Sequence, residues 1–257
     1  MSTPHDPTAD RDPDRDRDRD LTPPEPSTAD VLGQALSGAA RRAGLDPTDE
    51  RPTGHVVWHA MGGWRGVLES VLPGLVFVVA YTLTVDRETG EANLPLSLGL
   101  SVGLAVLFTL LRLAQRTPPS AALGGLIATA AAAGLALLTG RGADNFVPGF
   151  ITNAAYGTAL LISALIGWSL IGLAAGYLMG EGTTWRRDPR KRRVFFWLTL
   201  AWAALFYARL AVQLPLYFAD DVATLGTLKL IMGLPLFAPL IAVTWLAARA
   251  LYARPAE

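Results

Sequence analysis

The chain contains no cysteine, which excludes disulfides, thiolate catalysis and cysteine-based metal sites. Histidine is nearly as scarce, and His5, His55 and His59 all precede residue 60. His55 and His59 are four apart and could share a helix face, but no acidic or further histidine partner lies at matching spacing. The pair therefore reads as interfacial, beside Trp58 and Trp64, rather than as metal ligands. Enzyme signatures are missing too. No Gly-rich phosphate loop follows a strand pattern, no nucleophile elbow occurs, and no paired carboxylates fall within an apolar run. The expectation is a non-enzymatic protein with no catalytic residue, no metal and no cofactor. Met1 to Asp20 holds no apolar core, so no signal peptide is expected there.

What the chain does have is a sharp division. Up to Arg65 it is polar and Pro-rich, with about 12 of the 22 acidic and 8 of the 22 basic residues, so this part is negative and the remainder positive. Asp10 to Asp20 reads DRDPDRDRDRD, which cannot bury apolar surface. The pattern predicts a disordered tail over 1–26 and a short amphipathic helix with its linker over 27–66, the helix starting near Ser27. A transmembrane region over 67–250 and a short cytoplasmic tail over 251–257 complete the organisation.

Within the transmembrane region, apolar runs of bilayer length alternate with short polar loops. The fold class is all-α, a polytopic helical bundle, because in hydrocarbon a segment must satisfy its own backbone hydrogen bonds. Six spans are expected, over 68–85, 94–111, 121–138, 147–166, 194–217 and 225–248. Asp144 and Asn145 are expected to cap the fourth. Residues 170–179 are apolar but short, and spanning there would place the basic run Arg186, Arg187, Arg190, Lys191, Arg192 and Arg193 outside. The preference of arginine and lysine for the cytoplasmic side opposes that. The segment reads instead as a re-entrant or interfacial helix, with the basic run facing anionic lipids and both termini cytoplasmic. Nucleic-acid binding is not expected.

Polar side chains inside spans are costly and so informative. Asn153 and Tyr156 lie on one face of the fourth span, Arg209 and Gln213 on one face of the fifth, and Lys229 in the sixth. One reading is a cationic pocket for an anionic head group or solute. The favoured one is a structural clamp, with Arg209 bonded to Asn153 or Asp220 and Lys229 snorkelling outward. Glu69 is expected to be neutralised by Arg65, one turn earlier. Gly99 with Gly103, and Gly172 with Gly176 and Gly180, suggest close helix packing, by default within the monomer.

Several stretches carry a resemblance: Gly62-Gly-Trp-Arg-Gly, Leu72-Pro-Gly-Leu-Val-Phe, Gly149-Phe-Ile-Thr-Asn-Ala-Ala-Tyr156, Trp185-Arg-Arg-Asp-Pro189, Arg209-Leu-Ala-Val-Gln-Leu-Pro-Leu-Tyr217 and Val222-Ala-Thr-Leu-Gly226. On these the chain resembles, from about Gly62 to Ala248, an actinobacterial membrane family known as domain of unknown function number 3159. The layout more distantly resembles the intracellular septation protein A family, through an early Leu-Pro with Val-Phe, Leu200 to Ala203, and Lys229 in a closing helix. The acidic tail and the apolar segment around Gly167 to Gly172 depart from that family. The resemblance implies support of envelope assembly or division through other membrane proteins or self-association. The rival expectation is a transporter or lipid-binding carrier using the polar cluster.

Overall fold

The computed structural model describes residues 31, 63–86, 88–115 and 120–252. The charged tail, the helix expected near Ser27 apart from Val31, and the histidine pair lie outside the described residues, as does 253–257.

Among the described residues all regular secondary structure is helical. The helices are α1 (Gly63–Leu83), α2 (Leu94–Ala114), α3 (Ser120–Thr139), α4 (Val147–Leu165), α5 (Leu170–Leu178), α6 (Pro189–Phe218), α7 (Val222–Ile231) and α8 (Leu234–Tyr252). Short 3-10 turns at Gly142–Phe146 and Thr184–Arg187 lead into α4 and α6. Five segments are long and apolar enough to cross a membrane: α1, α2, α4 with its preceding turn, α6, and α7 with α8 taken together. The apolar stretch of α3, Leu123–Thr139, is shorter. Large apolar side chains cover the outside, Leu138 being 88 %, Leu83 79 % and Phe218 76 % exposed. Water would not tolerate such a belt and lipid requires it. The protein is a multi-pass membrane protein.

Local chemistry sets the helix ends. Asn93 accepts from the Leu96 amide to start α2, and Ser169 from the Gly172 amide to start α5. Asp188 accepts from the amides of Arg190 and Lys191, and Pro189 follows it in the first turn of α6. The cap is needed, because Arg190, Lys191, Arg192 and Arg193 crowd the positive end of this helix. These four residues thus belong to the helix and not to the loop expected before Val194.

Two corrections concern the later spans. The sixth is not one helix: it breaks at Met232 and Gly233, between α7 and α8. Pro235 explains the break, since it cannot donate to the Ile231 carbonyl and its ring would strike that group. The fourth span has no side-chain cap. Asp144 instead turns inward, 5 % exposed, and accepts from the Tyr217 hydroxyl at 2.7 Å. Arg141 reaches both Asp144 (3.9 Å) and Asp220 (3.5 Å), and its guanidinium lies 5.2 Å from the Tyr217 ring centre. This knot fastens the start of α4 to the end of α6.

Three buried clusters pack the bundle, one toward each end and one, of Leu160, Ala203 and Phe206, between them. At the α6 C-terminal end, Phe77, Leu98, Ala136, Phe146, Phe150 and Leu225 form one core. At the other, Trp185, Phe195, Leu198, Ala175 and Ala248 form a second. Antiparallel α4 and α6 join them, with Gly157 against Phe206 and Tyr207, and Thr158 bonded to the Tyr207 hydroxyl at 2.8 Å. Helix α5 spans only nine residues, about 14 Å at 1.5 Å per residue, too short to cross a bilayer. It rests on α6 through Ser169, whose hydroxyl lies 2.5 Å from that of Thr199.

Candidate functional site

A cleft of about 930 Å³ runs between the α1–α3 layer and helices α4, α6, α7 and α8. Asn153 and Tyr156 line it from α4, Arg209 from α6 and Lys229 from α7. Four of the five residues singled out in the spans therefore face one space. Gln213 does not line it: one turn beyond Arg209, it is buried at 2 % exposure, its amide nitrogen without a partner.

The two cations carry the geometry. The Arg209 guanidinium carbon sits 5.3 Å from the Phe237 ring centre, and Lys229 Nζ sits 4.9 Å from that of Phe146. Both side chains are half-buried and line the same cleft. Among the described residues neither has a carboxylate within ion-pair distance, and Arg209 Nε is buried without a hydrogen-bond partner. Aromatic faces offset part of a cation's desolvation, about 0.5–2 kcal/mol each. That falls short of a counterion for two charges facing one low-dielectric space.

The clamp expected from the sequence is not formed. Asp220 lies eleven residues beyond Arg209, about 16 Å along the helix, and pairs with Arg141 instead. Asn153 is buried but accepts no bond from Arg209, and Lys229 turns into the cleft rather than toward the helix end. Glu69 pairs with Arg112 of α2 at 2.6 Å, and this ion pair also lines the cleft, near the start of α1. Neither Glu69–Arg112 nor Asp144–Tyr217 was visible in the sequence, because each joins residues more than forty positions apart.

The basic run divides in two. Arg187, Arg190, Arg192 and Arg193 are exposed. Arg186 stacks on Trp168, its guanidinium carbon 3.9 Å from the ring centre. Lys191 donates to both oxygens of Glu181, at 2.8 and 2.9 Å, and lies over the Tyr252 ring at 4.0 Å. Burial opposes ionisation of Glu181, but the hydrogen bonds and charge of Lys191 outweigh it and hold the carboxyl below the usual glutamate range.

The glycine ladders also part company. Gly172 and Gly176 pack directly on Trp185, whereas Gly99 and Gly103 have nothing within 4 Å of where a Cβ would stand. The second pair faces outward, against the expectation of packing within the monomer. Gly180 has φ 75° and ends the turn after α5.

Residues 61–255, most of the chain and all of the cleft, match the family model described as protein of unknown function (DUF3159). The chain belongs to this family. No curated protein and no solved structure matches this DUF3159 chain, so its chemistry has to be read from its own residues.

Proposed function

We propose that this protein is a non-enzymatic membrane carrier that binds an anionic, partly apolar ligand in the cleft, through Arg209 and Lys229. One observation carries the reading: two cations face the same space, and among the described residues neither has a carboxylate within ion-pair distance. A phosphate or carboxylate would relieve both charges and could accept from the Arg209 guanidinium and the Asn153 amide, which line the cleft. The cleft is sized for a molecule well beyond an inorganic ion, and its walls between the charges are largely apolar, with Phe77, Phe108, Phe206 and Phe237 among them. The broken helix beside Lys229 suits a site that opens and closes. In this reading the termini are cytoplasmic and the cations lie in the outer half of the membrane, Asn153 about 9 Å from the start of α4 and Arg209 about 14 Å from the end of α6.

The test compares Arg209→Met and Lys229→Met for abundance and for binding of dodecyl phosphate, with dodecanol as the neutral control. Binding weakened tenfold to a hundredfold at unchanged abundance is expected, the range for loss of one charge-assisted contact. Unchanged binding, or loss of abundance without loss of binding, would return the residues to a structural role.

The outward Gly99–Gly103 face favours a second reading. Small residues open on a membrane helix allow another helix to approach closely. This would serve self-association or contact with other membrane proteins in envelope assembly, the role the septation-protein resemblance implies. Cross-linking through cysteines introduced on α2 would distinguish it, since the natural chain has none.

A further inference from the structure

A second cavity, of about 520 Å³, opens where α4 ends and α5 and α6 begin. Arg192 and Arg193 line it from the first turns of α6, above Leu165, Trp185 and Phe196. Among the described residues no carboxylate lines it. The nearest acid in sequence, Asp188, already accepts from the amides of Arg190 and Lys191. Among the described residues neither arginine has an ion-pair partner, and the positive end of α6 adds to their field. The surroundings are those of a lipid interface. Leu165 is 71 %, Ile166 64 % and Trp197 61 % exposed, and Trp168 stands beside the cavity with Arg186 stacked on it. Tryptophans concentrate at the head-group level of a bilayer, and basic pockets between membrane helices hold anionic head groups there.

We infer that this junction is a binding site for an anionic phospholipid, its phosphodiester held by Arg192 and Arg193 and its acyl chains lying along Leu165 and Phe196. The site shares no residue with the Arg209–Lys229 cleft and does not depend on the function assigned to it. An occupied site would tie α4, α5 and α6 together at the point where the chain reverses.

The experiment uses the full chain in nanodiscs of phosphatidylcholine with or without phosphatidylglycerol, with bound lipid read by native mass spectrometry after transfer to detergent. Two variants of equal charge loss are compared: Arg192→Gln with Arg193→Gln, and Arg187→Gln with Arg190→Gln, whose side chains do not line the cavity. The first is expected to lose retained phosphatidylglycerol about tenfold more than the second, and Arg192→Lys with Arg193→Lys is expected to restore part of it. Equal losses in both pairs would reduce the site to diffuse surface attraction and overturn the proposal. Displacement of the lipid by inorganic phosphate at equal concentration would overturn it in favour of a free-anion site. Circular dichroism checks that each variant keeps its helical content; if the glutamine pair does not fold, the comparison of the lysine pair with wild type decides, equal retention of lipid supporting a charge-bearing site and complete loss opposing it.

Discussion

Alanine at Gly176 and alanine at Gly99 add the same methyl group to helices of similar composition, yet they should act in opposite directions. At Gly176 the new Cβ would collide with the carbonyl oxygen of Gly182 and stand 2.7 Å from Cδ1 of Trp185. At Gly172 it would stand 2.7 Å from Cη2 and Cζ2 of the same ring and 3.1 Å from Cβ of Phe195. Carbon atoms in contact prefer about 3.5–4.0 Å, so the ring must retreat by roughly 1 Å. Trp185 is fully buried between α5 and α6 and has no room to do so. Over-packing of this kind costs about 1–3 kcal/mol, and Gly176 belongs at the upper end because a backbone atom obstructs it. Gly99 and Gly103 meet nothing within 4 Å, so alanine there brings only better helix propensity, a gain of about 0.5–1 kcal/mol. Unfolding of the purified protein in detergent, followed by tryptophan fluorescence, would rank the four variants. Lower stability for the first pair and equal or higher stability for the second is expected. Equal losses at all four positions would refute the packing argument.

Three further outcomes follow from single contacts. Because the Glu181 carboxyl is held below its ordinary value of 4.5, its contribution is fully present above that pH and is lost as pH falls through the lowered value. Glu181→Gln should therefore flatten the acid limb of a stability-against-pH curve and leave the region above pH 5 sloped as in wild type. Lys191→Met removes a bidentate charged contact in a partly buried pair and should cost about 1–3 kcal/mol, less as salt rises, in the same unfolding assay. Tyr217→Phe removes the 2.7 Å hydrogen bond to buried Asp144 and should cost about 1–3 kcal/mol, whereas Tyr207→Phe, on an exposed contact, should cost less.

The spans and the all-α fold were legible because bilayer thickness dictates run length and composition dictates where a run stops. The short α5 was legible for the same reason: Leu170 to Met179 is apolar yet far below spanning length. The break between α7 and α8 was also written in the chain, at Gly233-Leu234-Pro235, but an apolar average over the whole run conceals a two-residue interruption. Helical spacing put Asn153, Tyr156, Arg209, Gln213 and Lys229 at related depths without specifying rotation about each axis. Four of them turn to the cleft, and Gln213 turns away. Partner choice was the least legible, since Arg112 meets Glu69 and Tyr217 meets Asp144 only once the helices have packed.

Among the described residues Arg209 and Lys229 are held without a counterion. An experimental structure of the protein with dodecyl phosphate present tests this most directly. The expected result is a phosphate about 2.7–2.9 Å from both the Arg209 guanidinium and Lys229 Nζ, its alkyl chain among the cleft phenylalanines. Either cation paired with a carboxylate of the chain, beside a cleft holding no phosphate, would contradict it.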